Sequence, residues 1–100
     1  MASDDTLKAK MARALHRNGL YEPAAWGIEK LVSRAGMASE DHGRAKELAH
    51  EMARDEACPV IYKRVDTAVM LEKDTTQWVA AYVRRHDKDQ LTWDLEDELG

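Results

Sequence analysis

Residues 58–72 read CPVIYKRVDTAVMLE, and the change of pattern within this stretch decides the predicted fold. The residue before a proline is pushed away from helical dihedrals, so Cys58-Pro59 is expected to end a preceding helix. The residues after it are mainly β-branched, aromatic or basic, and the first two of these classes favour strands. We therefore predict a hairpin over residues 60–72 with a turn at Asp66-Thr67. This turn lacks the glycine of a preferred two-residue loop, so the sequence leaves the register open.

Three helical segments precede this hairpin and a fourth follows it. In each of them apolar residues recur at helical spacing, as expected of elements that cover a core. Pro23 suits the first turn of the second helix, where a backbone N–H would have no partner. Gly36 is expected to end that helix, and Ser39 is a good N-cap for the third. The four predicted helices span residues 4–18, 23–35, 40–56 and 75–86.

The element order predicts one mostly helical α+β domain over residues 1–86, followed by an acidic tail at residues 87–100 that is either docked on the domain or disordered. Hydrophobic residues make up 44% of the 100 residues, which is enough for one core. The formal net charge is −4, which counts against nucleic-acid binding because proteins of that class are usually basic. Net charge does not exclude the class, since a basic patch can lie on an acidic protein.

Cysteine usage and hydropathy narrow the expected compartment. The single cysteine, Cys58, excludes an intramolecular disulfide framework. No apolar run approaches the roughly 18 residues that a membrane-spanning helix needs. The first residues, MASDD, are acidic and lack the basic and apolar regions of a signal peptide. We therefore expect a cytoplasmic protein without a membrane partner.

Motifs for catalysis and metal binding are missing from the sequence. It contains no Cys-x-x-Cys pair, no His-Glu-x-x-His motif and no glycine-rich phosphate loop. The four histidines are scattered, and His42 and His50 lie two helical turns apart, too far for one metal ion. Cys58 has no assigned base beside it, so a buried structural thiol is the favoured interpretation. We predict that the protein is not an enzyme and uses no metal or cofactor.

The second helix, the turn at residues 36–38 and the third helix together read as a helix-turn-helix, and the hairpin follows directly. This order resembles the winged helix-turn-helix family over about residues 5–72. The resemblance rests on residues 24–32, 36–37, 39–54 and 60–72. It implies that the third helix enters the major groove of duplex DNA and that the hairpin contacts the backbone beside it. The richness in Asp, Glu and Ala with few Lys also resembles proteins of salt-loving microbes, in which acidic surfaces are routine even on DNA binders.

Basic residues mark the predicted DNA-binding surface. On the outward face of the third helix they are accompanied by Glu47 and Glu51, so an ordinary solvated face is an equal interpretation. Lys10, Arg13 and Arg17 lie together on the first helix, away from its apolar stripe, where they either contact phosphates or are simply solvated. The predicted DNA contacts are Arg44, Lys46, His50 and Arg54 on the third helix, Lys63 and Arg64 on the hairpin, and Arg13 and Arg17 on the first helix.

Two classes of function remain after these exclusions. The first is a small transcriptional regulator that binds double-stranded DNA, which the element order and the family resemblance favour. The second is a protein–protein interaction module that keeps the winged-helix scaffold without DNA affinity. The negative net charge and the mixed face of the third helix favour this alternative.

The fourth helix is apolar over a broader arc than a surface helix needs. It looks like the C-terminal dimerisation helix that many winged helix-turn-helix proteins carry, so we predict a homodimer formed through it. The alternative is that the same face packs on the first helix, beside Leu7, Met11 and Leu15, within a monomer. The predicted interface residues are Trp78, Val79, Tyr82 and Val83.

Overall fold

A computed structural model of the chain describes residues 3–63 and 65–86, and the predicted acidic tail lies outside them. The predicted class is confirmed, because these residues form a mostly helical α+β domain with four α-helices and a three-stranded antiparallel sheet. The helices are α1 (Asp4–Arg17), α2 (Ile28–Arg34), α3 (His42–Arg54) and α4 (Thr76–His86). The strands are β1 (Trp26–Gly27), β2 (Val60–Lys63) and β3 (Val65–Leu71), in the sheet order β1-β3-β2.

Helix α1 lies at the centre of the core, since the other three helices and β3 all pack against it. It begins after Ser3, whose side-chain oxygen accepts a hydrogen bond from the Thr6 backbone N–H at 3.2 Å. Gly19, with a φ of 67°, lies just past its end, where a left-handed residue commonly closes a helix. The apolar side chains that it buries most completely are Leu7, Ala9, Met11, Ala12 and Leu15.

The second helix begins later than predicted, at Ile28 rather than at Pro23. The two residues before it form β1, which pairs antiparallel with β3. An extended backbone gains hydrogen-bond partners across the sheet, and this long-range gain overrides the local preference of proline for a helix start. Trp26 is half-buried against the core, and the Lys30 ammonium lies 4.9 Å from the centroid of its ring.

The predicted switch from helix to strand after Pro59 is confirmed, but the predicted turn is wrong. Asp66-Thr67 lies inside β3, and β2 ends at Lys63. Val60 pairs with Leu71, and the pairing becomes irregular before Lys63. Both Val60 and Leu71 are buried, at 2% and 0% exposure. A slip of one residue would turn this buried face toward solvent, so the core sets the register and the weak turn sequence does not.

The starts of the last two helices also depart from prediction. Ser39 does not cap α3 with its side chain, because Ser39–Asp41 forms a turn of 3₁₀-helix ahead of it. Helix α4 begins at Thr76, after the Thr75 hydroxyl donates a hydrogen bond of 2.6 Å to the carbonyl oxygen of Glu72. These shifts are small, and each predicted helix is present.

Helix α4 packs along α1 within the same chain. Val79, Tyr82 and Val83 are 0%, 2% and 0% exposed and belong to the central core. The burial of these three predicted interface residues matches the alternative in which α4 packs on α1 within one chain. Only Trp78 of the predicted set is partly exposed, and its indole N–H donates to the carbonyl oxygen of Ala57 at 3.2 Å. The homodimer itself stays a prediction.

Candidate nucleic-acid interface

Arg44, at the start of α3, is held by three carboxylates. Its Nε and Nη2 donate to the two Asp4 carboxylate oxygens at 3.1 and 2.6 Å. Its Nη1 donates to Glu47 at 2.9 Å and lies 3.7 Å from Glu51. The hydrogen bond from Arg44 lowers the pKa of Asp4, and the bonds to Asp4 and Glu47 raise the pKa of Arg44. The charge of this guanidinium is therefore already balanced by carboxylates of the protein, which weakens its attraction for a phosphate.

Lys46 and His50, also predicted to contact DNA, make bonds to neighbouring elements of the domain. The Lys46 ammonium lies 3.3 Å from the Glu29 carboxylate at the start of α2. The His50 Nδ1 and the Tyr62 hydroxyl are hydrogen-bonded at 2.8 Å, which ties α3 to β2. These contacts position α3 against the rest of the domain and reduce the cationic character of its outward face.

A cleft of about 720 Å³ lies along the second half of α3. It contains the predicted DNA contact Arg54, together with Lys8 from α1. Three carboxylates line the same cleft, from Glu47, Glu51 and Asp55. A phosphate that entered this "mixed cleft" would approach three negative charges and two positive ones.

The hairpin contributes one described cation to the predicted surface. Lys63 is half-buried at the end of β2. Arg64, the other predicted hairpin contact, lies outside the described residues. The structure therefore supports a small positive site on the hairpin and does not join it to a continuous basic face on α3.

A group of four cations among the described residues lies elsewhere, between α1 and the end of α2. Lys10, Arg13 and Arg17 of α1 line a cleft of about 650 Å³ together with Arg34 from the last turn of α2. The Lys10 ammonium donates to the carbonyl oxygen of Gly36 at 3.1 Å, across the mouth of this "basic cleft". No described residue that lines the basic cleft carries a carboxylate. The arrangement suits a ligand with several negative charges.

Two physical factors place these cations together. The three α1 residues lie three or four positions apart along the helix, so they share one side of it. Arg17 and Arg34 each lie in the last turn of a helix, where a positive charge offsets the negative end of the helix dipole. Helical spacing groups the three α1 cations in the sequence, but it does not reveal Arg34. Arg34 lies beside α1 only because of how α2 packs.

The acidic balance of the chain is confined to its last residues. Residues 87–100 hold six of the 19 acidic residues and one of the 15 basic residues. Residues 1–86 therefore carry 14 basic and 13 acidic residues, a net charge of +1. The objection to a nucleic-acid ligand that comes from a net charge of −4 does not apply to the folded domain taken alone.

Other kinds of site find no support in the described part of the chain. Within residues 3–63 and 65–86, no three His, Cys, Asp or Glu side chains are grouped closely enough to hold a metal ion. Burial raises the pKa of the Cys58 thiol, which opposes formation of a nucleophilic thiolate. None of the described helices is long and apolar enough to cross a membrane.

Comparison with known proteins adds no family assignment. The chain matches no protein-family model, no curated protein and no solved structure at a significant level. The candidate interface therefore rests on the geometry and charge of these residues.

Proposed function

We propose that this protein is a small winged-helix DNA-binding protein that holds the duplex chiefly by its backbone phosphates, at the basic cleft. Three helices followed by a hairpin, with a third short strand beside it, are compatible with a winged helix. The observation that carries the proposal is the basic cleft itself. Four cations line it without a carboxylate among the described lining residues, whereas the mixed cleft on α3 holds three carboxylates.

Guanidinium groups suit this ligand because their planar N–H groups bind two phosphate oxygens at once. Arg13, Arg17 and Arg34 supply three such groups, and Lys10 adds a point charge. Contacts to phosphates position a protein on the duplex and carry no sequence information. The proposed binding is therefore weakly sequence-selective and strongly salt-dependent. If all four cations neutralise a phosphate, log Kd changes with log salt with a slope of about 3.6.

This proposal gives α3 a smaller part than the family resemblance implied. Insertion of α3 into a groove would bring Glu47 and Glu51 close to phosphates, and repulsion would oppose the approach. Release of Arg44 to meet the DNA would also break its bidentate pair with Asp4. Phosphate contacts at the basic cleft require neither change.

A double substitution in the basic cleft tests this function. Lys10→Gln with Arg34→Gln removes two charges whose side chains are not part of the apolar core, and it leaves the half-buried Arg13 in place. We expect the affinity for a 20-base-pair duplex to fall by roughly tenfold or more at low salt, since each charged contact contributes about 1 kcal/mol. The salt slope should fall by about two units. Fluorescence anisotropy across a salt series measures both quantities.

The matched control removes two positive charges from the DNA-binding surface predicted on α3 and the hairpin. Arg54→Gln with Lys63→Gln changes the net charge equally on the α3 and hairpin side. We expect it to leave the salt slope within about half a unit of the parent value. A larger loss for the control pair than for the cleft pair would move the interface to α3. Absence of DNA binding by the parent protein at low salt would exclude this function.

The second candidate function is protein–protein interaction through α3. It is favoured by the alternation of Arg44 with Glu47 and Glu51 on an exposed face, because such a face meets the charges of a polar protein surface better than a row of phosphates. Charge reversal at Glu47 and Glu51 separates the two functions. It should abolish binding to a protein partner and should strengthen binding to DNA.

A further inference from the structure

The end of the chain is rich in carboxylates, whereas no described residue that lines the basic cleft carries one. Residues 87–100 contain six carboxylates and one lysine, so this segment has a net charge of −5. Carboxylates accept the same bidentate hydrogen bonds from guanidinium groups as phosphates do. The segment is therefore a chemical competitor for any phosphate ligand of the cleft, and it is part of the same molecule.

The residue that precedes this segment, His86, lies close to the start of α1. Helix α4 ends at His86, whose Nε2 lies 4.0 Å from the Asp5 carboxylate in the first turn of α1. From Asp5 to Arg17 the axis of α1 rises by about 18 Å. Fourteen residues span up to about 46 Å when extended. The acidic segment can therefore reach all the cations that α1 contributes to the basic cleft.

Charge also distinguishes the basic cleft from the mixed cleft. The mixed cleft is lined by Glu47, Glu51 and Asp55, which repel an acidic segment. No carboxylate is found among the described residues that line the basic cleft. Of the two clefts, electrostatic complementarity selects the basic one.

We propose that residues 87–100 bind in the basic cleft of their own chain and compete there with nucleic-acid phosphates. The competition rests on the function proposed above, whereas the contact between the segment and the cleft does not. Tethering gives the segment an effective concentration in the millimolar range, so weak individual ion pairs suffice. Release of the segment is then a step in DNA binding, and salt weakens both interactions.

Neutralisation of the acidic segment in the full chain tests the competition. We expect the neutralised variant to bind a 20-base-pair duplex about threefold to tenfold more tightly at low salt, because the cleft is no longer occupied. Its salt slope should also be steeper, since more counterions leave the cleft when DNA binds. The variant carries the four substitutions Asp94→Asn, Glu96→Gln, Asp97→Asn and Glu98→Gln.

A matched variant controls for the change in total charge. It removes four negative charges from exposed positions that do not line the basic cleft, so it reports only the general effect of charge on DNA binding. An equal gain in affinity for the two variants would overturn the competition. The control substitutions are Glu22→Gln, Glu56→Gln, Glu72→Gln and Asp74→Asn.

NMR spectra without DNA test the contact separately. Neutralisation of the acidic segment should shift the amide signals of Asn18 and Gly36 and the side-chain Nε–Hε signal of Arg34, all at the basic cleft. The control variant should not shift them. Unchanged cleft signals would overturn the intramolecular contact even if the parent protein binds DNA. Shifts that grow with protein concentration would overturn it in favour of a contact between two copies.

The DNA-binding and NMR experiments distinguish failure of the proposed function from failure of the proposed intramolecular contact. If the cleft signals respond to the acidic segment but the cleft substitutions Lys10→Gln and Arg34→Gln leave DNA binding unchanged, the proposed function fails and the intramolecular contact stands. If the cleft substitutions weaken DNA binding but the cleft signals ignore the segment, the function stands and the competition fails.

Discussion

Tyr82→Glu is expected to abolish the cooperative unfolding transition of this domain at 25 °C. Tyr82 is 2% exposed in the apolar core between α4 and α1. Arg85, an exposed residue whose guanidinium lies 6.0 Å from the Tyr82 ring, and His86, which stacks on that ring, are outside the core cluster. An unpaired buried charge costs several kcal/mol. A domain of this size has a total stability of about 5–15 kcal/mol, so the loss consumes most of it. Circular dichroism during thermal and urea unfolding measures the result.

Ala81→Glu is the matched control, because it adds the same charge at the neighbouring, exposed position of α4. Its free energy of unfolding should stay within about 0.5 kcal/mol of the parent value. A folded monomeric Tyr82→Glu variant, derived from a dimeric parent, would instead show that this face of α4 joins two copies. Light scattering of the parent at micromolar concentration distinguishes an 11.4 kDa species from one of twice that mass.

The second large effect is expected at alkaline pH. Burial raises the pKa of the Tyr82 phenol, and the adjacent Cys58 adds to the shift; burial likewise raises the pKa of the Cys58 thiol. The unfolded chain releases these protons near the ordinary values of about 8.5 for the thiol and about 10 for the phenol. The unfolded state then holds fewer protons than the folded state. The stabilisation is complete below pH 8.5 and is lost as the pH rises above it.

Each of the two groups contributes a slope of up to about 1.4 kcal/mol per pH unit above its unfolded pKa. Urea unfolding at a series of pH values between 7.5 and 10.5 measures the combined slope. Tyr82→Phe and Cys58→Ala each remove one titrating group, and we expect each to reduce the slope in its own pH range. An unchanged slope in the double variant would show that neither group causes the alkaline loss. The absolute stability of each variant is a separate quantity and is measured at pH 7.

The sequence alone was sufficient to predict four helices and a hairpin in their correct order, but it did not predict β1 or the 3₁₀ turn before α3. Apolar residues at helical spacing located four helices, and the β-branched residues after Pro59 located the hairpin. These signals are local, because helix periodicity, strand propensity and the effect of proline act within a few residues. The α1 cations could be grouped from spacing alone for the same reason, since the geometry of one helix fixes which of its residues share a side.

Which elements pack together and which charges pair follow, in contrast, from the tertiary structure. Residues 26–27 became a strand because β3 offers hydrogen bonds across the sheet, and the burial of Val60 in the core helped to fix the register. Arg44, one of the predicted DNA contacts, pairs with Asp4, 40 residues away. Arg34 was gained because α2 packs its end beside α1. The sequence gives the charge of each side chain. The partner that neutralises each charge depends on long-range packing, which local patterns do not predict.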